Sequence, residues 1–373
     1  MTEEGQRLMA TDAANKVRIG IVGAGVISEI YLENLTARFD NTTVVGVADL
    51  LVERAQARAK TFGVAAFSVD ELLANPDVDI VVNLTIPAAH AEIALAAINA
   101  GKHAYNEKPL AISREDGRKL LEAAADKGVL VGSAPDTFLG GGLQSARKYL
   151  DEGIIGEPVA VSAFMLSRGM EAWHPDPYFF FQPGAGPLFD VGVYYVQAMA
   201  SIVGPVKRVS AITRASFPER TVGNGPKKGQ KIPVTTPTHI VGALEFESGI
   251  VGSLGTSFDL WETQNSTLVV YGTEGTLRFP DPNTFGGPIQ HLRGGSRDNT
   301  WEDLPLTYGN TENSRGLGVW DMANAIQKGE KPRASGELGY HVLDIMTAVL
   351  ESGVEGRHIT VESTVERPAS LPQ

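Results

Sequence analysis

Three groupings in this sequence bring reactive side chains or backbone together at spacings that matter. The first is Lys108, in His103–Ala111 (HAYNEKPLA), where Glu107, Lys108 and Pro109 follow one another. Proline donates no backbone hydrogen bond and restrains the residue before it to extended conformations. The spacing therefore predicts Lys108 at a strand end, with its ammonium projecting above a sheet. A lysine there is a general acid or base when a neighbouring positive charge depresses its pKa. The second grouping is Asp190 and Tyr194, four apart, which places them on one face of a helix. With a reference pKa of about 10, tyrosine is mainly a proton donor. The third is Gly23-Ala24-Gly25-Val26-Ile27-Ser28, a turn of the kind that brings backbone N–H groups to a phosphate.

These groups need elements to position them. Lys16–Gly23 (KVRIGIVG) is a short apolar, β-branched run typical of a buried parallel strand. It leads through the glycine turn into a helical pattern over Glu29–Phe39. In a G-x-G-x-x-G turn the first glycine permits the bend and the second lets backbone approach a pyrophosphate. Ser28 stands at the third position, where a small residue still allows helix and sheet to pack closely. The next strand, Thr42–Asp49, ends in an acidic residue where a dinucleotide's adenosine ribose is gripped. Leu50 and Leu51 follow, with no arginine for a 2′-phosphate, so NAD is expected rather than NADP. The plain alternative for Asp49 is a helix cap for Leu51–Thr61.

The alternation continues with strands at Val64–Phe67, Asp79–Thr85, His103–Glu107 and Val129–Ala134, and helices at His90–Ala100 and Ser113–Lys127. Such a series predicts a doubly wound parallel sheet, whose ligands bind outside the carboxyl ends of its strands. Gly23–Ile27, Asp49–Leu50, Thr85–Pro87, Glu107–Lys108 and Ala134–Asp136 all fall at those ends. Gly23, Gly25, Val26, Ile27, Asp49, Leu50 and Asp136 are accordingly candidate cofactor contacts.

After Pro135 the pattern changes. Extended runs at Val159–Leu166, Arg208–Phe217, His239–Phe246, Ile250–Phe258, Thr267–Tyr271 and Thr276–Phe279, with hairpin turns between some of them, predict an antiparallel sheet. Thr221–Pro233 reads as a solvated loop. Pro187–Val203 reads as one helix carrying Asp190 and Tyr194, and Gly192 between them costs about 1 kcal/mol there. That cost implies close approach by a packed element or a ligand. Upstream, Trp173-His174-Pro175-Asp176-Pro177-Tyr178 is an aromatic, proline-rich loop. It suits either a wall for the apolar face of a sugar or a small core of its own.

At 373 residues the chain has room for two domains. They are expected at 16–135 and 136–368, after a flexible tail over 1–15. A net charge of −12 argues against nucleic acid and anionic membrane as partners. With no cysteine, thiol nucleophiles, disulfides and cysteine-ligated metals are excluded. The histidines have no ligand-like spacing, so no metal site is expected. No apolar run reaches membrane-spanning length, and a soluble cytoplasmic protein is the expectation.

The glycine turn, the strand ending in Asp49, Thr85-x-Pro87-x-x-His90, GKHAYNEKPLA and the later GAGPLFDVGVYY, in this order, resemble the Gfo/Idh/MocA oxidoreductases. The resemblance runs from about Val17 to Thr360. It implies an N-terminal Rossmann domain and a C-terminal domain with an open, mostly antiparallel sheet flanked by helices. It further implies NAD as cofactor, a small carbohydrate or polyol as substrate, and a homodimer or homotetramer formed through the open sheet. By the same resemblance Lys108 sits beside the nicotinamide and the reacting hydroxyl, with Glu107 near the cofactor. Thr85, Pro87 and His90 match the loop passing the nicotinamide ribose and diphosphate, and a plain structural role at a helix start is equally open to His90. Asp190 and Tyr194 would face the substrate, the plain alternative being a buried polar pair with no catalytic part. The family pattern there is D-x-G-x-H, and this chain has Tyr194 in the histidine place, as some members do. His174 is then the nearby histidine able to replace the base. The implied activity is hydride transfer at a ring carbon of a sugar, polyol or glycoside. Two rivals are an NAD-dependent glycosidase working by transient oxidation and elimination, and a non-catalytic sugar sensor.

Overall fold

The computed structural model describes residues 16–261, 268–295 and 300–372. The tail expected over 1–15 lies outside the described residues, as does Thr267, the expected start of one strand.

Strand β1 (Val17–Val22) leads through the glycine turn into α1 (Ser28–Ala37). There follow β2 (Thr42–Ala48), α2 (Val52–Phe62), β3 (Ala65–Phe67) and α3 (Val69–Ala74). Ser68 and Glu71 form a reciprocal capping box at the start of α3. Next come β4 (Ile80–Asn83), a short 3₁₀ turn at Pro87–Ala89, α4 (His90–Asn99), β5 (His103–Asn106), α5 (Arg114–Lys127) and β6 (Val131–Ser133). Among the described residues these strands make one six-stranded parallel sheet in the order β3-β2-β1-β4-β5-β6. Ile19, Ile21, Ile80, Val81 and Val82 are buried in its centre, and Tyr31, Leu32 and Leu35 of α1 are buried with them. The order reverses at β1/β4, so the crevice at their carboxyl ends is a topological switch point.

The later chain supplies α6 (Gly141–Asp151), β7 (Pro158–Leu166), α7 (Val193–Val203), β8 (Val206–Arg214), β9 (Glu219–Thr221), β10 (Lys231–Pro233), β11 (His239–Phe246) and β12 (Val251–Ser257). It continues with β13 (Leu268–Gly272), β14 (Gly275–Phe279), β15 (Ile289–Arg293), β16 (Glu302–Leu304), α8 (Leu317–Lys328), α9 (Gly336–Glu355) and β17 (Ile359–Thr360). The second sheet runs β16-β15-β14-β13-β7-β12-β11-β8-β17. Its pairs are antiparallel except β7 with β12, which is parallel, so the sheet is mixed rather than purely antiparallel. Val161, Ala163 and Met165 of β7 are buried on one face. On the other, Ile212, Val241, Val251 and Tyr271 are exposed, Ile212 to 80%.

Two expectations are corrected. The ends of the supposed loop 221–233 are paired as the hairpin β9–β10, closed by Ile232 opposite Arg220. The helix expected from Pro187 opens with one π turn, Leu188–Gly192, before α7 begins. A π turn rotates less per residue than an α turn, so α-helical spacing alone does not fix the relation of Asp190 to Tyr194.

The chain forms two compact units. The first joins the described residues up to Ala111, Glu115–Asp136 and Ser314–Glu337; the second joins Ile112–Arg114, Thr137–Asn313 and 338–372. Segment 314–337, assigned from sequence to the second domain, thus belongs to the first unit. There the Ser133 N–H donates to the Ala334 carbonyl at 3.0 Å. Among the described residues no helix is long and apolar enough to cross a membrane.

Candidate active site

In the first unit, Gly23 has φ +106°, and a Cβ there would lie 2.6 Å from the Leu84 carbonyl. Only glycine allows β1 to turn this tightly beside the end of β4. Gly25 is different, for a Cβ would meet nothing within 4 Å, so the backbone borders open space. Ser28, at the third-glycine position, is fully buried and donates its hydroxyl to the Gly25 carbonyl at 2.7 Å. No side chain caps α1 at Ile27. Its first N–H groups therefore suit an anion, which the helix dipole also favours. Val26 and Leu50 are both about nine-tenths exposed beside this turn.

Asp49 binds the turn itself. Its carboxylate accepts from the Ala24 N–H at 2.7 Å and the Leu51 N–H at 2.9 Å. A carboxylate has roughly four acceptor positions, so capacity remains for ribose hydroxyls. The cap role for α2 is not realised, since Leu51 is the N-cap and no side chain caps the N–H groups of the first turn.

The ends of β4 and β5 are tied by a pair the sequence reading missed, Asn83 and Asn106, both fully buried. Asn83 donates to the Asn106 side-chain oxygen (3.1 Å) and to the His90 carbonyl (3.0 Å). Its own oxygen accepts from the Thr85 hydroxyl at 2.6 Å. Asn106 donates to the Leu110 carbonyl at 2.9 Å. The pair thus fixes the Thr85–Pro87 loop on one side and the Lys108–Leu110 turn on the other. Two polar residues ending adjacent apolar strands were the available signal.

His90 is held against that loop. It is fully buried, with Nδ1 2.7 Å from the Pro109 carbonyl and Nε2 3.1 Å from the Thr85 carbonyl. A neutral ring satisfies one of these oxygens and a protonated ring both. Burial holds its pKa below the ordinary range against the pull of the two carbonyls. These contacts give His90 a structural task at the start of α4.

Lys108 is half-buried at the end of β5, and its backbone N–H donates to the Glu107 carboxylate at 2.9 Å. The other Glu107 oxygen accepts from the Tyr31 hydroxyl at 2.9 Å. Asp136 was expected at the cofactor. It is 1% exposed, and one oxygen accepts from the N–H groups of Gly316 (2.9 Å) and Gly318 (3.0 Å) at the start of α8. Burial pushes its carboxyl up to about 6 despite those donors.

In the second unit, Asp190 is half-buried in the π turn and Tyr194 is buried in the first turn of α7. Gly192 is explained by packing, because a Cβ there would lie 2.8 Å from the Thr256 methyl of β12. The aromatic loop builds its own core. The His174 ring meets Trp173, Phe179 and Phe180 edge-on, with centroids 5.1 to 5.8 Å apart. Its Nδ1 accepts from the Asp176 N–H at 3.1 Å, so in the neutral ring the proton sits on Nε2. That tautomer offers a donor, which argues against His174 as the replacement base. Trp173 stays 59% exposed. Asp176 pairs with Lys227 at 2.6 Å, joining this loop to the β9–β10 hairpin. Arg220 of β9 is buried and bridges Glu171 and Asp259. No group of metal-ligating side chains occurs among the described residues.

Residues 17–134 match the model of an oxidoreductase family described by its NAD-binding Rossmann fold, and residues 143–278 match the GFO/IDH/MocA C-terminal domain. The chain is 27% identical over 357 residues to the 1,5-anhydro-D-fructose reductase of Ensifer adhaerens, covering 93% of this chain and 99% of the relative. It is 29% identical over 252 residues to the levoglucosan dehydrogenase of Pseudarthrobacter phenanthrenivorans, covering 62% and 64%. In fold it is similar to a levoglucosan dehydrogenase solved with NADH and L-sorbose, with TM-score 0.80, 23% identity, and coverage of 93% and 99%.

Proposed function

The chain belongs to the GFO/IDH/MocA oxidoreductases, and from that premise we propose that it transfers hydride between NAD and a ring carbon of a sugar, polyol or glycoside. One observation carries the reading furthest. The glycine turn, Asp49, the Thr85 loop and Lys108 stand at the carboxyl ends of β1, β2, β4 and β5 of one parallel sheet. The residues fit the cofactor, with an open backbone edge at Gly25, an uncapped helix start for the diphosphate and spare acceptor capacity on Asp49.

The nicotinamide supplies the hydride acceptor when bound. In oxidation the substrate's C–H bond gives up its electron pair as hydride, the O–H proton passes to Lys108 Nζ, and a carbonyl is left. Lysine acts as base near neutrality when a positive charge beside it depresses its pKa, as the oxidised ring would. Asp190 and Tyr194 would hold the reacting hydroxyl, with Trp173 as an aromatic wall. With Tyr194 a donor and the neutral His174 ring protonated on Nε2, Lys108 is left as the principal base. The working form is a homodimer or homotetramer joined through the exposed face that carries Ile212, Val241 and Val251.

A panel of sugars, polyols and glycosides with NAD and NADP, followed by reduced-cofactor absorbance, tests the reading. Accumulation of NADH with at least one sugar or polyol is expected. Cleavage of a glycoside without it would replace the dehydrogenase by a glycosidase.

A further inference from the structure

We propose that Tyr31 is a positioning residue for Lys108, acting through the Glu107 carboxylate, an inference that rests on the reading of Lys108 as the proton acceptor. Tyr31 lies on α1, the helix that starts at the glycine turn, and its ring is fully buried. Its hydroxyl donates to one oxygen of Glu107, and the other oxygen receives the Lys108 backbone N–H, both at 2.9 Å. Glu107 is only 8% exposed. Water therefore has little access to replace a lost donor, and a buried acceptor without its partner reorients or is destabilised.

The two bonds make a bridge from the dinucleotide-binding helix to the residue that receives the proton. Burial, reinforced by Glu107, keeps the Tyr31 phenol well above its ordinary range, so it stays a neutral donor at every working pH. Asp136 is charge-coupled to both Tyr31 and Glu107. An added negative charge there makes a fixed donor to Glu107 more necessary. Proton transfer tolerates little misplacement, since a shift of about 1 Å can cost about a hundredfold in rate. Tyr31→Phe removes one oxygen and keeps the ring that packs α1.

The test is a double-mutant cycle on the full-length protein with NAD and the best substrate from the panel. Tyr31→Phe is expected to lower kcat about tenfold, with KM and the NAD Kd within about twofold. In the Glu107→Gln background the same change is expected to alter kcat less than about twofold, because its route of action has gone. Full kcat in Tyr31→Phe overturns the proposal, as does an equal loss in both backgrounds. So does an NAD Kd that weakens in step with kcat, which would make Tyr31 a support for the cofactor helix. If Tyr31→Phe does not fold, Glu107→Gln alone must still lower kcat without moving the NAD Kd, and full activity there is equally fatal. Lys108→Ala separates the premises. A Lys108→Ala enzyme with near wild-type turnover removes the reading of Lys108. An inactive Lys108→Ala beside an unaffected Tyr31→Phe removes only the role of Tyr31.

Discussion

The side-chain nitrogen of Asn83 lies 3.1 Å from the side-chain oxygen of Asn106, directly across the paired ends of β4 and β5. Each amide spends its remaining groups on a different loop, so the pair is a clamp between the Thr85 and Lys108 segments. Asn83→Ala would leave the Asn106 oxygen and the Thr85 hydroxyl without this partner. Buried polar groups so orphaned cost about 1–3 kcal/mol each. The variant is expected to lose a few kcal/mol in urea unfolding and to bind NAD more weakly. Unchanged stability would mean that the clamp is ornamental.

Lys108→Ala is expected to reduce kcat by about 10²–10⁴, the usual span for a positioned acid or base. Isothermal titration should give an NAD Kd within a few-fold of wild type, because the turn at Gly23–Gly25 and Asp49 is untouched.

His174→Ala should spare kcat to within about threefold and raise KM instead. Its Nδ1 is committed to the Asp176 N–H, and its ring packs the aromatic loop. A loss of about a hundredfold in kcat would restore His174 as the base.

Two buried groups give opposing pH dependences. His341 is fully buried, its Nε2 accepting from the Val206 N–H at 3.0 Å and its Nδ1 2.9 Å from the Ser363 hydroxyl. Burial pushes it down to about 4 from 6.5. The unfolded chain then binds the extra proton first, so stability present above pH 6.5 is lost as pH falls towards 4. Asp136 is raised from 3.8 to about 6, so its contribution is full below 3.8 and is lost as pH rises through 6. Each shift is worth about 3 kcal/mol, and the two largely cancel between these limits. In urea titrations at pH 7, 5.5 and 4.5, Asp136→Asn is expected to weaken with acid more steeply than wild type. His341→Gln is expected to weaken less. Parallel curves for all three proteins would contradict this balance.

The first unit was largely legible because its signals are local. Apolar runs such as Lys16–Gly23 and Asp79–Thr85 fall on strands. The parallel β7–β12 pair was not legible, since strand direction depends on where an intervening chain crosses, which no single run records. The short strands β16 and β17 gave too few residues for a period of two to emerge. At the site, Gly23 and Lys108 could be named from their neighbours in sequence. Asn83, Asn106 and Tyr31 act through partners between 2 and 76 positions away. His90 and Asp136 fall near the strand ends as expected, but burial turned both towards backbone groups.

Asp136 receives its N–H donors from residues 180 and 182 positions further along. A ribosome making this chain has therefore finished all six strands of the first sheet long before the closing segment emerges. Until Gly318 is out, the nascent sheet carries a carboxylate that lacks these two donors and an edge at β6 without Ser314–Glu337. Unpaired strand edges and uncovered apolar faces invite aggregation, so this interval is the exposed stage of synthesis. A truncated chain ending at residue 136 keeps that carboxylate and lacks both donors for good.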